Sequence, residues 1–285
     1  MTKLSLLVAA FAPYLAHATV GWNWGFFQVP PDGLDHIVFP MQMTQVGHEA
    51  GYYFAQQFDF TNTEHGGYIG LQPRPQRDGR SVIHAVFSTF QGGSRSNHPN
   101  CHYGADNGPG VSCALEIYGS YDHVYHMTVE KIEGTTWRGL MVDAVTGGTF
   151  EIGVWSLPNS SGNMKPFLGG FIEYYTWNRA QGPDCPRQTK TNVTLFNPSS
   201  KTPGASGGIL LEPFDYGDCE GQVNFEVLNV KGGRNIAYGI AEPAVTTQNA
   251  EELDATGFPD DGLMFRDNCI VEPDWRRGFG VASYM

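Results

Sequence analysis

Residues 82–90, VIHAVFSTF, decide the fold class of this chain. The run is short, dominated by β-branched and aromatic side chains, and has no 3.6-residue apolar period, so it reads as a β-strand. Similar runs surround it. Upstream lie residues 36–39, 51–60 and 67–72. Downstream lie 114–118, 123–130, 136–143, 149–155, 171–177, 191–196 and 224–230, with turn clusters between them. Thirty-six glycines and 18 prolines punctuate a chain of 285 residues.

Many short strands at close spacing predict an all-β, antiparallel β-sandwich or jelly roll with few short helices. The acidic stretch 248–255 is the best helix candidate, and 201–208 (KTPGASGG) reads as an exposed loop. No fixed-period repeat and no low-complexity linker is visible, so one domain is expected.

The N-terminus carries Lys3, an apolar run from Leu4, and Ala16-His17-Ala18 before Thr19. That pattern predicts a signal peptide over residues 1–18, with 19–285 as the single mature domain. Pro13 interrupts the run, which is too short to span a bilayer, and no other stretch approaches a span. The expected location is therefore secreted and extracellular, with no membrane partner. A net charge of −12 argues against nucleic acid, whose phosphates demand a basic face.

In an oxidising compartment most of the five cysteines should pair. Cys101 with Cys113 closes the glycine-rich stretch CHYGADNGPGVSC. Cys185 with Cys219 is the second expected bridge, Cys269 being the alternative partner. The 101–113 loop has three readings: a bare staple, a calcium cradle with Asp106 and Asn107 as hard oxygen donors, or a direct sugar contact. Apart from calcium there, no cofactor is expected. Asn159-Ser-Ser and Asn192-Val-Thr are glycosylation sequons, which would make this a glycoprotein in a eukaryotic host.

The segments HGGYIGLQPRP, VIHAVFSTFQGG and GADNGPGVSC together resemble a family of secreted bacterial and fungal domains of unknown function. Its hallmarks are a GYFG-[IL]-Q strand, a V-[IL]-F-S-x-[WF] strand, a glycine-rich loop with an acidic residue, a tryptophan-containing strand and a [FI]-x-E-[YF] strand. The resemblance covers roughly residues 35–180, departing at Ile69, where the motif has Phe, and at Phe90, where Trp is common. It implies a concanavalin-like sandwich in carbohydrate-related settings, without a settled activity.

The residues themselves leave several chemistries open. No E-x-D-x-E triplet exists, which disfavours a retaining glycosidase of the sandwich type. A polysaccharide lyase needs a Tyr or His base beside a group that neutralises a uronate; His84 and Tyr174 are the candidate catalytic pair, with Gln72, Arg74 and Tyr68 as companions. His98 and His102 flank Cys101 and are metal candidates, although solvated loop histidines are commoner.

Sugar binding uses aromatic platforms with amides, carboxylates and arginines reading hydroxyls. Trp22, Trp24, Trp155 and Trp177 are candidate platforms, whereas Trp137 reads as core. The candidate ligand-binding set is Tyr68, Gln72, Arg74, Glu173 and Trp177. Gln72 and Glu173 are polar in otherwise apolar strands, so each is either bonded internally or faces a groove. The leading expectation is a lectin-like protein binding an extracellular or cell-wall glycan. A lyase or other glycan-cleaving enzyme is the alternative, and a non-catalytic structural or effector interaction protein the third.

Overall fold

In the computed structural model, residues 18–105, 108–176 and 183–240 are described. The expected signal peptide up to His17, Asp106, Asn107, Trp177, Cys269 and the helix candidate 248–255 lie outside them. Sixteen strands form, in chain order β1 (Ala18–Gln28), β2 (His36–Gln42), β3 (Tyr52–Phe58), β4 (Gly67–Arg77), β5 (Arg80–Thr89), β6 (Cys101–Tyr103), β7 (Val111–Tyr118) and β8 (Tyr125–Glu133). They continue as β9 (Thr136–Asp143), β10 (Thr149–Ser156), β11 (Phe167–Tyr174), β12 (Thr191–Phe196), β13 (Ser206–Leu210), β14 (Phe214–Asp215), β15 (Phe225–Val230) and β16 (Gly233–Tyr238). The helical content among the described residues is a 3₁₀ turn at Cys185–Arg187 and other single turns.

Two antiparallel sheets face each other. The larger runs β13-β1-β11-β3-β4-β5-β7-β6, with β14 also on β1; the smaller runs β10-β9-β8-β2-β12-β16-β15. The expected all-β sandwich is thus the observed architecture. Between the sheets, Trp22, Trp24, Phe54, Phe58 and Phe87 of the larger sheet meet Phe39, Met127, Trp137, Met141 and Trp155 of the smaller one, all buried. Trp155 stacks on Phe87 with ring centroids 4.6 Å apart.

Trp22 and Trp24 are core residues rather than sugar platforms. Trp24 donates from Nε1 to the carbonyls of Gln57 and Gly169, both at 3.0 Å, and Trp22 donates to Gln56 Oε1 at 3.0 Å. Trp155, 1% exposed, is equally removed from solvent.

The middle of the larger sheet is buried on both faces. β3 (YYFAQQF) and most of β4 (GYIGLQPR) are covered throughout, so neither shows the alternation of a half-exposed strand. On the face turned away from the smaller sheet, Tyr53, Ala55, Tyr68, Val86, Phe90, Ala105 and Phe171 form a second apolar cluster.

Residues 201–208 do not form one loop. The turn at 201–205 leads into β13, which pairs with β1 through Gly25–Ile209 and Phe26–Gly208. Cys101 and Cys113 are bonded and stand directly opposite each other in β6 and β7, and Cys185 is bonded to Cys219. The first bridge therefore joins the edge strand β6 to its neighbour β7. Gly110, at φ 120°, closes the turn between them where any Cβ would lie 2.1 Å from the Thr89 carbonyl oxygen. Two disulfides mark folding in an oxidising environment. No described helix is long and apolar enough to cross a membrane.

Candidate functional site

The outward face of the larger sheet carries a line of polar side chains that crosses five strands. Glu173 of β11 pairs with Tyr53 of β3. Tyr53, one residue beyond the Phe54–Leu71 pair, stands beside Gln72 of β4. Gln72 pairs with His84 of β5, and His84 with Glu116 of β7. Cross-strand partners project to the same side, so pairing alone assembles this row from segments far apart in sequence.

Arg74, two positions beyond Gln72 on the same face of β4, ties the row together. Its Nη2 donates to Gln72 Oε1 at 2.8 Å and its Nη1 to the Tyr175 hydroxyl at 3.0 Å. Its Nε lies 3.4 Å from Glu116 Oε1, and its backbone N–H donates to the Tyr121 hydroxyl at 2.9 Å. Glu116 is shared three ways: Arg77 donates to its Oε2 at 2.9 Å, and His84 Nδ1 lies 3.4 Å from its Oε1.

The charges follow from these neighbours. Burial and the Arg74 cation hold His84 down to about 4, so its imidazole is neutral at physiological pH. Burial pushes Glu116 up, but hydrogen bonds from His84 and Arg77 and the nearby cations outweigh it and hold the carboxyl at about 2. By the pH at which Glu116 titrates, His84 is itself protonated. Glu173 is fully buried; burial pushes the Tyr175 and Tyr216 hydroxyls up, and the nearby Glu173 carboxylate adds to it.

Gln72, Arg74 and Glu173 thus share one face with Tyr68, as the expected ligand-binding set requires. They are, however, 3%, 5%, 0% and 0% exposed for Gln72, Arg74, Glu173 and Tyr68. Tyr68 packs its ring edge-on against Tyr53 and Phe90. The face is covered where a groove open to solvent was expected.

Tyr174 is not on this face. It follows Glu173 by one residue, points toward the other sheet, and packs on Tyr52 at 5.0 Å and on the Cys185–Cys219 bridge. His84 and Tyr174 are therefore separated by the thickness of the sheet, and the expected lyase pair is not assembled.

Other candidates are scattered. His98 sits 3.0 Å from Glu151 at the surface, and among the described residues no group of three or more His, Cys, Asp or Glu side chains is gathered for a metal. Asn159 is exposed in a turn. Asn192 is half-buried in β12, where its Oδ1 accepts from Asn235 Nδ2 at 2.5 Å. Sequence reading missed Tyr53, Glu116 and Tyr121 as members of this face. Glu116 had a signal, as a lone acid in the apolar strand ALEIY; Tyr53 and Tyr121 had none. Strand alternation does put Tyr175 on the face of Glu173, but not its contact with Arg74.

No family model and no curated protein matches the chain. Among solved structures, it is similar to scytalido-glutamic peptidase with a peptide-based transition state analog, at 13% identity and TM-score 0.42, over 78% of this chain and 98% of that one. It is also similar to SCP-B, a member of the Eqolisin family of peptidases in complex with the tripeptide Ala-Ile-His, at 12% identity and TM-score 0.39, with the same coverage of 78% and 98%. A CBM2 module of the evolved Dit of Lactobacillus casei BL23 phage J-1 follows at 10% identity and TM-score 0.27, over 54% of this chain and 70% of that one. At TM-scores below 0.5 these likenesses carry no weight for the chemistry of the site.

Proposed function

We propose that the protein is a secreted hydrolase of acyl bonds, peptide or ester, with Glu173 as general base and the Gln72 amide as oxyanion donor. One observation carries this reading. The oxygen of Gln72 is occupied by Arg74, while its amide nitrogen has no partner among the described residues, on the same face as the buried Glu173 carboxylate. Their strands are two spacings apart, about 10 Å, which leaves room between the side chains for a water and a carbonyl group.

The chemistry balances with these two groups. Glu173 takes a proton from water as the oxygen attacks the carbonyl carbon, and Gln72 donates to the developing oxyanion. The tetrahedral adduct then collapses, the bond to the leaving nitrogen or oxygen breaks, and the Glu173 proton passes to the leaving group. Both residues sit on a covered face of the sheet.

Competing chemistries fit less well. Cleavage of a glycosidic bond by two carboxylates needs them about 5–9.5 Å apart. Glu116 is four strand spacings from Glu173, about 19 Å, and is held ionised by its cations. The polar face supports one second reading, the glycan recognition expected from sequence, because Gln57, Gln72 and Arg74 are groups that read hydroxyls. Export is supported by the signal-like N-terminus and the two disulfides.

The test uses fluorescently labelled casein and p-nitrophenyl acyl esters between pH 3 and 7, beside a glycan array. Wild type should cleave at least one probe, with Glu173→Gln and Gln72→Ala each losing about 10²–10³-fold in kcat. Cleavage undiminished in Glu173→Gln, or no cleavage by wild type, overturns the hydrolase reading. Glycan binding without turnover moves the assignment to the second.

A further inference from the structure

We propose that Arg74 is a positioning residue that sets which end of the Gln72 amide faces the reacting group; this rests on the hydrolase reading above. A carboxamide has two nearly isosteric orientations. One presents an N–H donor and the other a carbonyl oxygen, and only the donor stabilises an oxyanion. A guanidinium has donors and no acceptor, so the Nη2–Oε1 contact of 2.8 Å leaves Gln72 with its oxygen toward Arg74 and its NH₂ group turned away. The same contact draws electron density toward the amide oxygen and makes the opposite N–H a stronger donor.

Arg74 can do this because it is itself held from several directions. Tyr175 and the Pro73 carbonyl accept from Nη1, both at 3.0 Å, and Glu116 lies against Nε at 3.4 Å. The Tyr121 hydroxyl fixes its backbone at 2.9 Å. These partners come from the end of β11, from β4, from β7 and from the turn before β8. The guanidinium plane is therefore fixed independently of Gln72, and it is the amide that conforms.

A purely structural role, a buried cation neutralised by Glu116, predicts loss of stability without a selective effect on turnover. A double-mutant cycle separates the two. With the acyl-ester probe, Arg74→Met should lower kcat by about 10²-fold with KM little changed. Arg74→Lys, which still donates to Oε1 but through one flexible contact, should recover part of that loss. In a Gln72→Ala background, Arg74→Met should have no further effect on kcat.

A loss of the same size in both backgrounds, or an unchanged kcat in Arg74→Met, overturns the proposal. Should Arg74→Met fail to fold, Arg74→Gln, whose amide can donate or accept and so no longer fixes one orientation, carries the same cycle. The Gln72 side-chain amide resonances, assigned by their disappearance in Gln72→Ala, give a readout independent of turnover. They should move in the Arg74 variants, and unmoved resonances refute the orientation claim. If wild type cleaves neither casein nor the esters, the hydrolase reading fails, and the resonances alone decide whether Arg74 orients Gln72.

Discussion

Gly153 of β10 lies directly beneath Cys113 of β7, so close that a Cβ on the glycine would sit 2.4 Å from the cysteine Cβ and 2.6 Å from Cys101 Sγ. The disulfide at the edge of the larger sheet is thus seated on the smaller sheet through a residue without a side chain. A covalent link between neighbouring strands doubles as a contact between layers.

Gly153→Ala should therefore behave as an overpacking substitution and destabilise by about 1–3 kcal/mol. Urea unfolding should show a lower midpoint with an unchanged slope. A variant as stable as wild type means the two sheets are not in contact at this point.

The two bridges should contribute differently. They close separations of 12 and 34 residues, for which the chain-entropy relation gives about 3 and about 4 kcal/mol. Replacing Cys101 and Cys113 by Ala also opens space over Gly153, so that pair should cost more than its loop length indicates. Denaturation of the two double variants measures both; a cost for Cys101/Cys113 well below 3 kcal/mol removes the packing contribution.

Acid should weaken the fold in two steps. His84 is lowered from 6.5 to about 4, so between those values the unfolded chain takes up a proton that the folded chain refuses, and stability falls as pH falls through that window. Glu116, lowered from 4.5 to about 2, extends the loss from there downward. His84→Asn should flatten the dependence of the urea midpoint on pH between about 6.5 and 4. Equal slopes in the variant and wild type would show that His84 is not the group responsible.

The turn at 201–205 should matter more than its exposure suggests. Thr202 is 7% exposed, and its Oγ1 accepts from the backbone N–H groups of Asp35 and His36 at 3.0 and 3.1 Å while donating to Asp35 Oδ1 at 2.5 Å. Thr202→Val keeps the shape and strands both donors, at a cost of about 1–3 kcal/mol. Differential scanning calorimetry should register a lower melting temperature; no change means water replaces the hydroxyl.

Much of the architecture was legible before any coordinates. Runs such as 82–90 and 191–196 announce strands because β-branched and aromatic side chains suit a pleated surface, and the pairing of Cys101 with Cys113 follows from proximity in an oxidising setting. The short strands β6, β13 and β14 were missed, and so were the longer β1 and β16. Their glycines, asparagines and arginine weaken local strand signals, and they exist because paired neighbours satisfy their backbones.

The candidate site was half legible. Alternation places Glu173 and Tyr174 on opposite faces of β11, but which face meets the other sheet is a property of packing, and it separated His84 from Tyr174. Gln72 and Glu173 were visible as polar residues out of character with their strands. Their alignment with Tyr53, His84 and Glu116 depends on the register of five strands drawn from residues 52–174. Side-chain alternation is local, repeating every two residues within one strand. Register is set between strands, by burying every apolar residue at once, and a slip of one position in any of them would send its member of the row into the core.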